Sequence, residues 1–172
     1  FLGMLLDYAD NPKLAQKYFD DIPKDDEKIS FYLDSWDYIK SVLSDNTLIF
    51  GSTPEGLSLA LNASELDGLI LEFGVRNGSS LRYIADQAEQ EVHGFDSFEG
   101  LPEAWGDEPA GSYTTEGELP EVPDNVSLHV GWFDETIPPF LENHSGPVRC
   151  MNIDCDIYSF TKSILSLLVD RI

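Results

Sequence analysis

Leu69-Ile70-Leu71-Glu72-Phe73-Gly74-Val75-Arg76-Asn77-Gly78-Ser79-Ser80-Leu81 opens as an unbroken apolar run and breaks into glycines. It then passes into a segment in which Leu81, Ile84, Ala85 and Ala88 recur at helical spacing. A continuous apolar run reads as a strand buried on both faces, so the stretch is a strand, a tight turn and a helix. In an open parallel sheet such a turn lies at the carboxyl end of the strands, where ligands bind and the next helix presents its free N–H groups. Gly74 and Gly78 are expected to let the backbone approach a ligand, and Glu72 to place a carboxylate at the strand end. The spacing Glu-x-Gly-x-x-x-Gly differs from the Gly-x-Gly-x-x-Gly fingerprint that packs a pyrophosphate against a helix, which disfavours a nicotinamide-dependent oxidoreductase. An acidic, glycine-rich turn better suits a ligand carrying an amine. Taken alone, the turn is equally compatible with a plain strand–helix unit.

Outward from this turn, Val92-His93-Gly94-Phe95-Asp96 reads as a second strand ending in an acid roughly 20 residues on, the position from which a carboxylate accepts hydrogen bonds from ribose hydroxyls. Residues 97–124 are rich in Gly and Pro and form a long irregular loop, with Phe98, Leu101, Trp105 and Tyr113 as apolar anchors. Residues 126–130 are a third strand, and 131–134 a turn. A short helix at 137–141 is expected to open at Pro138-Pro139. Residues 147–154 are a fourth strand ending in Asn152-Ile153-Asp154-Cys155-Asp156. The helix at 159–169 has Ile164, Leu165 and Leu168 as its inner face. Strands alternating with helices make an α/β fold, a Rossmann-like parallel sheet with flanking helices.

The leading third of the chain reads as helical. Residues 11–21 start with an Asn cap and Pro12, and the helix breaks over 22–26. From Lys28 to Leu43, the residues Tyr32, Trp36, Ile39 and Leu43 share a face, and Thr53-Pro54 starts a further helix through Leu61. The expected division is a helical cap region at 1–65 and a Rossmann-like domain at 66–172.

Length and composition set the outer limits. At 172 residues, 42% hydrophobic and 12% aromatic, the chain can bury a sizeable core. Ten basic against 32 acidic residues give a net charge of −22, which repels phosphate backbones and anionic lipid, so neither nucleic acid nor membrane is an expected partner. The short apolar start Phe1–Leu6 lacks a preceding basic region and is not read as a signal peptide. Cys150 and Cys155, an odd number of residues apart in a strand, point to opposite faces and cannot bridge, so reduced cysteines and a cytoplasmic location are expected. Four Asn-x-Ser sequons, at Asn62, Asn77, Asn125 and Asn143, are read as chance. The absence of an initiator Met suggests a fragment. His93, His129 and His144 show no ligand spacing and are read as structural or exposed.

Four words in register carry a resemblance: Glu72-Phe73-Gly74-Val75 with Gly78-Ser79; Gly94-Phe95-Asp96-Ser97-Phe98-Glu99-Gly100-Leu101-Pro102 with Trp105; Gly131-Trp132-Phe133-Asp134-Glu135-Thr136; and Ile153-Asp154-Cys155-Asp156-Ile157-Tyr158-Ser159. Over about residues 69–172 the chain resembles class I S-adenosylmethionine-dependent methyltransferases, and more narrowly the sugar O-methyltransferase family of macrocin O-methyltransferase type. The resemblance implies S-adenosylmethionine as cofactor and a hydroxyl-bearing small molecule as acceptor. Glu72 and Gly74 would lie by the methionine part, with Phe73, Gly78 and Ser79 also binding the cofactor; Asp96 would hold the ribose, flanked by Ser97 and Phe98; Gly131, Trp132 and Phe133 would border the adenine. It also implies that Asp154 sits at the cofactor and binds a divalent metal, Mg2+, while Asp156 acts as the base. Such enzymes continue into a fifth strand whose acids complete the metal site, whereas this sequence stops at Arg171-Ile172. On that reading the sheet is truncated before the fifth strand, and 148–153 becomes an unpaired apolar edge that favours a homo-oligomer. A non-catalytic cofactor-binding or interaction module is the alternative.

Overall fold

A computed structural model describes residues 2–23, 27–44, 47 and 50–172, with only the backbone described at 27 and 28. The chain falls into two compact units, residues 1–49 and 50–172. The helix at 53–63 falls in the second unit.

In the second unit four strands form one parallel sheet in the order β3-β2-β1-β4: β1 (Leu69–Phe73), β2 (Val92–Asp96), β3 (Val126–Val130) and β4 (Val148–Ile153). Because side chains alternate along a strand, Ile70 and Glu72 leave one face of β1 and Leu71 and Phe73 the other. On the first face Ile70 and Val92 pack against Leu57 and Leu61 of α4 (Thr53–Ala63) and Leu81, Ile84 and Ala85 of α5 (Ser79–Gln87). On the second, Leu71, Phe73 and Phe95 pack against Phe133, Ile137 and Phe140 of α6 (Phe133–Asn143) and Ile164 and Leu168 of α7 (Tyr158–Leu168). Two dry layers around a central sheet explain why β1 reads as an unbroken apolar run. The register sets Phe73 opposite Phe95, and their rings stack at 4.9 Å. Cys150 joins the first layer and Cys155 the second; both are free thiols.

Two helices differ from expectation. The one expected at 137–141 starts at Phe133, with Pro138 and Pro139 inside it. An internal proline removes a backbone hydrogen bond, yet both prolines face solvent while Phe133, Ile137 and Phe140, spaced four and three apart, bury one stripe. The stripe outweighs the breaker. In α7, Leu165 is 40% exposed, and Ile164 and Leu168 alone are buried. Of the expected loop anchors, Phe98 and Leu101 are buried while Trp105 is exposed.

The first unit holds α1 (Leu2–Tyr8), α2 (Pro12–Asp20) and α3 (Glu27–Val42). Helix α1 went unread in the sequence; its Gly3 sits so near Phe19 of α2 that a Cβ there would meet the ring at 2.8 Å. Asn11 precedes α2 as expected but makes no side-chain cap bond. Of the face assigned to α3, Trp36 is buried and its Nε1 donates to Asp7 at 2.9 Å, whereas Tyr32 and Ile39 are exposed. The break expected over 22–26 lies partly outside the described residues. Among the described residues no helix is long and apolar enough to cross a membrane.

Candidate functional site

The strand order reverses between β1 and β4, and the crevice at such a reversal is where open α/β sheets bind ligands. Ladder hydrogen bonds continue past the strand ends: Gly74 N–H to Phe95 O at 3.0 Å, Asp154 N–H to Phe73 O at 2.9 Å and Gly131 N–H to Asp96 O at 3.0 Å. They hold three turns side by side as the floor of an open cleft of about 360 Å³.

Nine of the residues assigned from sequence line this cleft: Gly74, Ser79, Asp96, Ser97, Gly131, Trp132, Phe133, Asp154 and Asp156. Asp96 is fixed by two backbone amides, Arg76 N–H on Oδ2 and Phe98 N–H on Oδ1, each at 2.7 Å. A carboxylate oxygen has two lone pairs, so both oxygens keep capacity for a ligand hydroxyl. Opposite stands an aromatic wall, with Phe160 5.7 Å from Trp132 and 5.1 Å from Phe133 between ring centres.

Four assigned residues do not line the cleft. Phe73 and Phe98 are core side chains, 0% and 1% exposed. Gly78 is buried, and a Cβ there would meet Pro120 at 3.1 Å, so its φ of +69° serves loop packing. Glu72 is 0% exposed beneath the floor: it accepts the Ser80 hydroxyl on Oε1, while Oε2 has no hydrogen-bond partner. Burial pushes its pKa up to about 7, the Asp154 and Asp96 carboxylates adding to the shift and the Ser80 hydroxyl and Asn152 opposing it. Gly74 lines the cleft, but its first requirement is internal: at φ +91° a Cβ would lie 2.0 Å from Asp154 O.

Asp154 and Asp156 lie exposed past β4, with Asp156 at φ +58°. Desolvation first, and then the Asp154 carboxylate, raise the Asp156 pKa, while Arg76 opposes the shift. A carboxylate moved upward is a better proton acceptor. The sequence reading did not assign Arg76, Ser80, Leu101, Tyr113 or Phe160 to the cleft. Arg76 and Ser80 were in plain view inside the glycine turn. Tyr113 reaches the cleft only because the long loop folds back, Thr115 N–H bonding Phe98 O at 3.2 Å.

The lining is chemically compatible with S-adenosylmethionine: Asp154 and Asp156 would face its cationic end, Asp96 its ribose diol, and the rings of Trp132, Phe133 and Phe160 its purine. A magnesium ion takes six oxygens, of which a protein commonly supplies one or two carboxylates and water the rest. Among the described residues no three His, Cys, Asp or Glu side chains are grouped as a metal site; Asp154 and Asp156 are the two carboxylates past β4 that line the cleft. His93, His129 and His144 gather instead with Phe95 and Phe140 against α6, with His129 Nε2 3.3 Å from His93 Nδ1, and burial holds His93 down to about 4.

Sequence comparison matches residues 71–172 to a family described as a methyltransferase domain. No curated protein is significantly similar in sequence. Among solved structures, the O-methyltransferase NovP is similar at 20% identity and a TM-score of 0.49, over 69% of this chain and 59% of that one.

Proposed function

We propose a function for a chain that belongs to the methyltransferase-domain family: transfer of a methyl group from S-adenosylmethionine to a hydroxyl of a sugar-like small molecule. The observation that carries it is the convergence of Asp96 and Asp156 on one cleft at the β1/β4 reversal, each with an environment suited to its task. The narrower kinship, to the macrocin O-methyltransferase type, rests on the four motif words and the hydroxyl chemistry they imply.

When bound, S-adenosylmethionine supplies an electrophilic methyl group on a sulfonium. The chain supplies the rest. Asp96 accepts the two ribose hydroxyls, Trp132, Phe133 and Phe160 wall the adenine, and Gly74 and Ser79 border the methionine end. Asp156 takes the proton from the acceptor hydroxyl as its oxygen becomes the nucleophile. Metal assistance through Asp154 is implied by the resemblance; a bound Mg2+ would be held there with water completing its shell, and no step is assigned to it.

The test is transfer of labelled methyl from S-adenosylmethionine to sugar-type acceptors, with and without chelator. Asp156→Asn should keep cofactor affinity and lose about 10²-fold in turnover, the scale of losing a general base. Full turnover in Asp156→Asn would remove that base; cofactor binding without transfer to any acceptor would favour the non-catalytic module.

A further inference from the structure

Resting on the methyl-transfer reading, we propose that a second cleft beside the first is the acceptor subsite, and that Arg76 and Arg82 there receive an anionic group, carboxylate or phosphate, on the hydroxyl-bearing acceptor.

This cleft, of about 470 Å³, is lined by Arg76, Asn77, Arg82 and Thr115 together with Glu118 and Glu121. It shares Arg76 and Asn77 with the first cleft, whose 360 Å³ is at the small end for a ligand site and would be filled by the proposed cofactor. An acceptor must therefore reach in from an adjoining space, and this one opens at the correct place. Arg76 lines both clefts, and its charge acts on Asp156, so a molecule held by Arg76 has its neighbouring hydroxyls near the base.

The charge pattern points to an anion. The chain has 10 basic residues against 32 acidic ones, yet two arginines border this one cleft. Arg76 makes no ion pair among the described residues. Its guanidinium lies instead over the Tyr113 ring at 4.9 Å, on a backbone held at φ +48°, a conformation that costs about 1 kcal/mol or more in a residue other than glycine. Stacking on a ring leaves the in-plane N–H donors free for a planar or tetrahedral anion. Arg82 is anchored by Nη1 to Asn77 O at 2.9 Å and Glu121 O at 3.1 Å, which fixes its position without neutralising it. Glu118 and Glu121, which also line the cleft, are exposed residues whose charges water screens.

The experiment is calorimetric titration of the full chain, loaded with S-adenosylhomocysteine, with glucuronate, glucose 6-phosphate and glucose. At least one of the two charged sugars should bind at least tenfold more tightly than glucose, and which one separates carboxylate from phosphate. Arg76→Gln and Arg82→Gln, each with its fold checked by melting, should each reduce that preference about tenfold, and Arg76→Lys should restore part of it. Equal affinity for all three sugars, or a preference untouched by both glutamine variants, overturns the proposal. If S-adenosylhomocysteine itself does not bind, the methyl-transfer reading fails; the same sugar titration on the unloaded chain then still reports whether the anion site exists.

Discussion

Glu72 stands under opposed demands: beneath the ligand floor, fully buried, with one oxygen bonded to Ser80 and the other without a partner. Its folded pKa of about 7 lies above the ordinary carboxylate value, so between roughly pH 4.5 and 7 the fold holds a proton that the unfolded chain releases. That contribution is full below about 4.5 and is lost as the pH rises through 7, leaving a buried charge at pH 8. Glu72→Gln should therefore raise the melting temperature relative to the native chain at pH 8, and by less at pH 5. A difference that does not change with pH contradicts the buried-carboxylate account. His93, neutral in the fold down to about 4, works in the opposite direction below pH 6.5, which is why the comparison is made within each pH. The sequence placed Glu72 at the ligand because it sits at a strand end. The alternation of β1 turns it toward α5, where it accepts the Ser80 hydroxyl and does not line the cleft.

Elements were legible where burial imposes one rule. Strand β1 could be read residue by residue because both of its faces are covered, and β2 through the same apolar run and its terminal acid. The start of α6 was misread because two prolines are a strong local signal and its buried stripe is a tertiary one. The strand-end turns were located correctly, but the reason for Gly74 was not: the Asp154 carbonyl occupies the space a side chain would need. Gly74→Ala should therefore lose stability, by about 2 kcal/mol or more, through positive φ and displacement of the turn after β4. Urea denaturation measures this, and a loss under 0.5 kcal/mol would mean that the two turns can separate freely.

At the scale of the whole molecule, a charge of −22 on 172 residues opposes compaction through self-repulsion. Raising NaCl from about 0.02 to 0.5 M shortens the screening length severalfold and should raise the melting temperature; a salt-independent transition would mean that the acids are spaced widely enough not to interact. The cleft, unlike the total charge, needs the fold before it can be seen. Asp96, Trp132 and Asp156 lie on three different turns, and the sheet order alone brings them to one crevice. Its arginine, Arg76, and its loop residue Tyr113 belong to no motif that ties them to the crevice. The measurement closest to the central claim is calorimetric titration of the folded chain and of Asp96→Ala with S-adenosylhomocysteine. The native chain should bind one equivalent, and Asp96→Ala, which loses two charge-assisted hydrogen bonds, should bind at least tenfold more weakly. A folded native chain that shows no binding, or an Asp96→Ala variant that binds as well as the native chain, would contradict it.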